Sequence, residues 1–225
     1  MITPRLEMIL RHVSGKTCAD IGTDHAYVPI KLAEAGIKVI ATDIMPGPLK
    51  IAEENVKKQG AKVELRLGGG LSPIKNGEVD TVIIAGMGGE MIEKIISEDE
   101  EKAKSVKLIL QPMNRQYELR TYLLKNGYKI LKEDLALEGF KVYNLIVAQY
   151  QGDNKLHNWG YRREIDRHLP VKLYQHQYFP ILCEKKQREF TKIAEGLKKS
   201  KDANPKEIKR LEKLLLALEK ITRVE

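Results

Sequence analysis

Cysteine and long apolar runs are scarce in this chain. Cys18 and Cys183 are its only cysteines, and neither has a His or Cys cluster near it in sequence. That excludes a disulfide framework and a zinc site of ordinary spacing, so both are read as buried thiols and no metal is expected. No apolar stretch approaches the roughly 20 residues that a membrane span requires. The N-terminal Met1-Ile2-Thr3-Pro4-Arg5 lacks the apolar core of a signal peptide. A soluble, cytoplasmic, monomeric protein with no membrane partner is the expectation. The 225 residues suit one medium domain with an appendage, or two small domains.

Charge is unevenly spread. Residues 1–150 hold 21 Lys+Arg against 20 Asp+Glu, whereas residues 151–225 hold 18 against 11, so nearly all of the net +8 lies in the last third. A compact basic segment beside a nearly neutral one is the footprint of a polyanion partner, nucleic acid above all; a solvated helix face is the plainer alternative.

The first 150 residues alternate short apolar runs with helical patterns, as parallel strands joined by crossover helices do. Strands are predicted at Thr17–Ile21, Lys38–Thr42, Val63–Leu67, Thr81–Ala85 and Lys107–Leu110, with helices at Tyr27–Ala35, Pro48–Lys58, Glu90–Ile96 and Tyr117–Lys125. Tyr128–Asp134 and Val142–Tyr150 follow with only a short Gly-containing loop between them, which predicts an antiparallel hairpin closing the sheet. Beyond residue 150 Val becomes rare while Lys, Glu and Leu dominate. Helices are predicted at Lys155–His168 and Tyr174–Lys199, the latter carrying Leu182, Cys183, Phe190, Ile193 and Leu197, with Pro180 inside the pattern as a kink or split. Asn204-Pro205 opens another as N-cap and first helical residue. Ile208, Leu211, Leu215, Leu218 and Thr222 then form a heptad stripe, so the last two helices read as an antiparallel hairpin joined by Ser200–Asn204.

In an open parallel sheet, ligands bind beyond the carboxyl ends of the strands, near the point where strand order reverses. The first such loop is Asp20-Ile21-Gly22-Thr23-Asp24-His25-Ala26-Tyr27. A dinucleotide fingerprint would have glycine at 22, 24 and 27; this chain has Gly22, Asp24 and Tyr27. Asp24 would put a carboxylate where a pyrophosphate lies, which argues against NAD or FAD. A ligand with an ammonium or a sulfonium suits Asp20 and Asp24, and S-adenosylmethionine carries both. Asp43, 21 residues after Gly22 and followed by Ile44, stands where an acidic side chain receives a ribose diol. Gly68-Gly69-Gly70 leaves backbone open for a flat adenine ring, or is an ordinary turn. Ala85-Gly86-Met87-Gly88-Gly89-Glu90 lets backbone approach a reacting methyl, or forms a phosphate-like nest.

Strand four lacks the Asn/Asp-Pro-Pro-aromatic turn with which methyltransferases often hold an exocyclic amino group. Cys18, near the start of strand one, is misplaced for a carbon-methylating nucleophile. A ring nitrogen needs neither device, but its methylation makes the base cationic. A nearby carboxylate would stabilise that charge and accept the proton later lost.

The segments Asp20-Ile21-Gly22-Thr23-Asp24-His25-Ala26-Tyr27-Val28-Pro29, Ala85-Gly86-Met87-Gly88-Gly89-Glu90-Met91-Ile92 and Leu110-Gln111-Pro112-Met113-Asn114, with the basic helical tail, resemble the bacterial TrmK family. The resemblance is strongest from residue 5 to about 150; the tail matches in length and character. Val28 stands where Leu would be expected, a packing exchange. The resemblance implies an α/β fold with a Rossmann-like class I methyltransferase sheet, mostly parallel with the last strand antiparallel, and a coiled-coil-like helical extension. It implies S-adenosylmethionine as cofactor and N1 of adenine 22 in tRNA as acceptor. Residues 1–150 would then hold the cofactor and residues 151–225 the tRNA.

By the same resemblance Asp24 lies near the methyl acceptor, and the Gly86–Gly89 turn borders its pocket. The alternative for Asp24 is an N-cap on the Tyr27–Ala35 helix. His25 reads as a loop or packing residue. The expected cofactor contacts are Arg5, Asp20, Gly22, Asp43, Ile44, Gly68, Gly69, Gly86 and Met87, with Arg5 either reaching the cofactor carboxylate or lying on the surface. From position alone, Gly88, Gln111, Asn114 and Tyr117 are assigned to the substrate base and its entry. Other readings of the whole chain are a methyltransferase of another RNA and an RNA-binding module whose nucleoside site does not turn over.

Overall fold

A computed structural model describes residues 2–152, 160–200 and 204–223. They fall into two compact units, Met1–His157 and Asn158–Glu225.

The first unit is built on a seven-stranded sheet: β1 (Thr17–Ile21), β2 (Lys38–Asp43), β3 (Val63–Leu67), β4 (Thr81–Met87), β5 (Lys107–Pro112), β6 (Tyr128–Glu138) and β7 (Lys141–Tyr150). The spatial order is β3-β2-β1-β4-β5-β7-β6. The pairings of β1 to β5 are parallel. β7 runs antiparallel to both its neighbours. The sheet is mostly parallel and closed by an antiparallel hairpin, as the strand pattern predicts and the resemblance implies. Central strands are apolar on both faces, with Cys18, Ala19, Val39, Ile40, Ile83, Ile84, Leu108 and Ile109 all buried, because crossover helices cover both sides. From β1 the chain passes outward through β2 and β3, then returns to lay β4 against the other side of β1. That reversal opens a crevice at the carboxyl ends of β1 and β4.

Helices α2 (Tyr27–Glu34), α3 (Pro46–Gln59), α4 (Gly89–Glu98) and α6 (Gln116–Lys125) make the expected crossovers, each with ends shifted by a few residues. Two helices lie outside the sequence expectation: α1 (Pro4–His12) and α5 (Glu100–Ser105). α1 has Pro at its first turn and buries Met8 and Ile9. These join Val28, Leu32, Ile109 and Leu145 in one core cluster, so α1 becomes a wall of the crevice.

Asp24 does not cap α2. The residue at that position is Ala26, in the left-handed region at φ 56°, and no side chain accepts from the first turn.

The second unit contains α7 (Glu164–His168), a 3-10 turn at Val171–Leu173, α8 (Phe179–Lys199) and α9 (Pro205–Thr222). Of the helix expected over Lys155–His168, residues 155–159 lie outside the described residues, and α7 covers only its last part. The helix expected from Tyr174 begins at Phe179, so Pro180 sits in the first turn. There its missing N–H has no intrahelical partner to lose, and it starts the helix rather than kinking it. Asn204 is the N-cap of α9, accepting from the Lys206 N–H at 3.0 Å.

The buried face of α9 is Leu211, Leu214 and Leu218. The expected heptad frame through Leu215 and Thr222 is therefore rotated; Thr222 is exposed and turns its hydroxyl onto the carbonyls of Leu218 and Glu219. On α8 the buried set is Phe179, Leu182, Cys183, Phe190 and Ala194, while Ile193 is exposed. α8 packs on α9, and Lys198 meets Glu212 at 2.8 Å. Both cysteines are free and buried, and burial pushes the Cys183 thiol up to about 11. No described helix is long and apolar enough to cross a membrane.

Candidate functional site

A cavity of about 400 Å3 occupies the crevice, lined by α1 (Thr3, Arg5, Leu6, Ile9), by the loop from Asp20 to Val28, and by Ala85 and Gly86 at the end of β4. The loop is pinned at its start: the N–H groups of Gly22 and Thr23 both donate to the Thr42 carbonyl at 2.8 Å. Gly22 has φ +77°, and a Cβ there would fall 2.1 Å from Met87 Cε, so the Met87 methyl lies directly over this glycine. Gly22 and Met87 thus form one packed unit bridging β1 and β4.

Asp20 is buried and turned into the cavity. Burial pushes its carboxyl up to about 6, against a hydrogen bond from Thr23 that pulls it down. Four residues on, the Asp24 side chain is 66% exposed, with Oδ2 2.9 Å from His25 Nδ1. One loop therefore holds a buried and an open carboxylate on one cavity.

Arg5 reaches the same space from α1. Its Nη1 donates to Gln111 Oε1 at 3.0 Å, and its guanidinium carbon lies 5.5 Å from the centre of the Tyr143 ring. Gln111 Oε1 also accepts from the Gly86 N–H at 3.3 Å. Gln111, fully buried, is a brace beneath Arg5 and the β4 turn and does not line an entry for a base.

Beyond β2, Asp43 Oδ1 accepts from the Met45 N–H at 2.8 Å, and its carbonyl accepts from the Gly68 N–H at 2.9 Å. Ile44 is 69% exposed. Its Cδ1 lies 3.1 Å from where a Cβ on Gly69 would be. The structure thus brings Asp43, Ile44, Gly68 and Gly69 together as one edge at the ends of β2 and β3, next to the cavity strands but outside the cavity lining.

The remaining assignments divide. A Cβ on Gly88 would sit 3.0 Å from Asn114 Oδ1, and one on Gly89 would sit 2.7 Å from the Arg115 carbonyl, so the two glycines admit the Asn114–Arg115 loop against α4. Asn114 Oδ1 accepts from the Gly89 N–H at 3.3 Å, which satisfies an orphan donor at the start of α4. Tyr117 does not line the cavity; it belongs to a separate groove of about 730 Å3 between α4 and α6 with Glu90, Glu93, Arg115 and Tyr122. α6 begins at Gln116 after Arg115 in the left-handed region at φ 51°, so Tyr117 falls in the first turn of that helix, on the groove it shares with α4.

Sequence reasoning missed the α1 wall and the pair His25 and Tyr27. The signal for α1 was present in Pro4 followed by Leu6, Ile9 and Leu10 at helical spacing.

A ligand bearing an ammonium and a carboxylate fits this lining. Asp20 is a buried carboxylate with no cationic partner among the described residues, Arg5 is a cation on the opposite wall, and the Thr3 hydroxyl is buried in the lining without a hydrogen-bond partner. S-adenosylmethionine presents both groups on its methionine portion.

Residues 2–146 match a family described as a methyltransferase domain. The tRNA (adenine(22)-N(1))-methyltransferase of Bacillus subtilis is 36% identical over 154 residues, 66% of this chain and 65% of that relative's length. The solved structure of the B. subtilis m1A22 tRNA methyltransferase TrmK superimposes with a TM-score of 0.86 at 27% identity, covering 98% of each chain. Streptococcus pneumoniae Sp1610, solved in complex with S-adenosyl-L-methionine, gives a TM-score of 0.78 at 31% identity over 98% of this chain and 99% of that one. With its sheet order, its crevice residues and these likenesses together, the chain belongs to the methyltransferase-domain family and, within it, to the TrmK family.

Proposed function

We propose that this protein transfers the methyl group of S-adenosylmethionine to N1 of an adenine in tRNA, the adenine at position 22. The observation that carries the reading is the pair of carboxylates, buried Asp20 and open Asp24, on a cavity between β1 and β4 that has no phosphate-binding glycine set. S-adenosylmethionine supplies an electrophilic methyl on a sulfonium. Asp20 and Arg5 hold the two ends of its methionine portion, Asp43 receives the ribose hydroxyls, and Ile44 with Gly68 and Gly69 forms the edge for the adenine. Gly86 and Met87 leave only backbone and a thioether beside the reacting centre.

Asp24 faces the incoming base and stabilises the positive charge that develops on the ring as N1 is methylated. Gly88 and Asn114 border the acceptor side; Gln111 acts from beneath, through Arg5 and Gly86. Residues 151–225 supply the tRNA contacts. A groove of about 530 Å3 between α7 and α9 favours this: Lys206, Lys209 and Lys213 line it with no carboxylate partner among the described residues. Arg163 and Arg210 in the same groove are paired with Asp166 and Glu164. A tRNA substrate places the protein in the cytoplasm.

The test is transfer of label from methyl-labelled S-adenosylmethionine to an unmodified tRNA transcript and to one with guanine at position 22. Label in N1-methyladenine of the first transcript alone is the expected result. No transfer to either, or equal transfer to both, overturns the reading.

A further inference from the structure

The loop that carries Asp24 also builds a two-ring stack. Ala26 adopts the left-handed conformation, and this turn brings the rings of His25 and Tyr27 to one side, with centroids 5.4 Å apart and planes 12° from parallel. His25 is held from two directions: Nδ1 lies 2.9 Å from Asp24 Oδ2, and its carbonyl accepts from the Asn55 amide at 3.0 Å. Tyr27 is 43% exposed although it opens a helix whose next three residues are buried. Both rings line the cavity that also holds Asp24, Gly22 and Gly86. A braced aromatic ring, covered on one side and open on the other at the mouth of a cavity, is a surface for a second flat ring.

We propose that Tyr27 is the platform on which the extruded target adenine stacks, and that His25 is its backing ring and the positioning residue for the Asp24 carboxylate. The inference rests on the tRNA methylation reading and deepens it. Adenine N1 lies on the Watson–Crick edge, so the base must leave its pair and its stack before reaction and loses both sets of neighbours. An aromatic face replaces the lost stacking. A base lying flat on Tyr27 keeps its Watson–Crick edge free to turn toward Asp24 and the Gly86 turn, so the same loop holds the ring and meets the reacting atom. Stacking is tolerant of base identity; Tyr27 therefore sets how well the base is held in the cavity, while the choice among bases falls to edge contacts.

Single-turnover methylation of an unmodified tRNA transcript separates the possibilities, run beside calorimetry of S-adenosylmethionine. Tyr27→Leu keeps an apolar side chain and removes the ring; it should lower kcat/KM for tRNA about 10- to 100-fold, the range that base–aromatic stacking supports. Cofactor affinity should stay within twofold. Tyr27→Phe, which retains the ring, should recover most of that loss. With 2-aminopurine at position 22, S-adenosylhomocysteine present and protein in excess, the wild type should quench the fluorescence of the extruded base relative to Tyr27→Leu. Wild-type kcat/KM in Tyr27→Leu overturns the platform. So does a loss of cofactor affinity that accounts for the whole defect, or a Phe variant no better than Leu. Failure of the wild-type protein to methylate tRNA at all would instead overturn the functional reading on which the platform stands.

Discussion

Asp20 and Asp24 share one loop, yet the fold gives their carboxylates opposite surroundings. Burial raises the Asp20 carboxyl to about 6. Its ionisation therefore disfavours the ligand-free fold: by linkage this group's contribution to stability is fully present below the unfolded value near 4 and is lost as pH rises through 6. An ammonium partner reverses the preference. S-adenosylmethionine affinity measured by calorimetry should fall as pH drops below about 6, by at most tenfold per pH unit, and Asp20→Asn should bind weakly with a flat profile over that range. Asp24 is different: exposed and bonded to His25, it has freedom to face a base. Asp24→Asn keeps the shape and removes the charge. Because the charge on the base develops only on the way to product, single-turnover methylation should fall about 100-fold with tRNA affinity unchanged. An Asn variant at the wild-type rate would leave Asp24 without a chemical role. Both residues are legible in the sequence, Asp24 as a carboxylate at a glycine position of the dinucleotide pattern and Asp20 as the acidic residue near the end of the strand before it. Which one is buried is not, since burial depends on α1 and on the Gly22–Thr42 bonds closing over the loop.

At the scale of elements, helix α6 buries a charge beside its apolar residues: Arg120 is enclosed along with Leu119 and Leu123. Arg120, 0% exposed, donates to Glu133 Oε1 of β6 at 2.7 Å and to Asn144 Oδ1 of β7 at 3.2 Å; the Glu133 side chain is 2% exposed. Nothing local in the sequence singles out Arg120, because its partners lie on the β6–β7 hairpin. Glu133→Leu leaves a buried guanidinium without its carboxylate and should cost about 3–5 kcal/mol in urea denaturation. Combining it with Arg120→Met should return most of that loss, since an apolar pair of similar volume avoids the desolvation penalty. A single Glu133→Leu variant of wild-type stability would show the pair to be dispensable. The element ends tell the same story: Pro180 and Asn204-Pro205 both start helices. The second is plain from its Asn cap, whereas the first reads as a kink or split because the sequence places the helix start at Tyr174, before Pro180.

At the scale of the whole molecule, the excess positive charge and the cofactor cavity belong to different units. If α9 meets RNA phosphates, each neutralised contact releases counterions and steepens the salt dependence of binding. Replacing Lys206, Lys209 and Lys213 together by Ala should weaken tRNA binding and reduce the slope of log affinity against log salt by about 2–3. S-adenosylmethionine binding should be unaffected. Titration of labelled tRNA over a salt series measures this, and an unchanged slope would remove the α9 groove from the interface. Lysines at 206, 209 and 213 were visible as part of a basic tail. That they share one groove with already neutralised arginines was not, because it follows from how α7 packs on α9.

The sequence by itself determined the strand and helix alternation, the closing hairpin, and the loops after β1 and β4 that line the crevice. Those follow from local periodicity, from turn residues, and from the rule that an open parallel sheet binds at its carboxyl ends. Two missing glycines and a carboxylate in the first loop argue against a pyrophosphate there, on local chemistry alone. Tertiary structure decided which of the named residues share a space. It set Gln111 beneath the site rather than at its entry, moved Tyr117 to another groove, and made Ala26 rather than Asp24 the start of α2. It brought α1 in as a wall and stacked His25 on Tyr27. These outcomes depend on contacts between segments far apart in the chain, or on a single left-handed residue that no propensity singles out; periodicity can mark a helix such as α1 but not what it packs against.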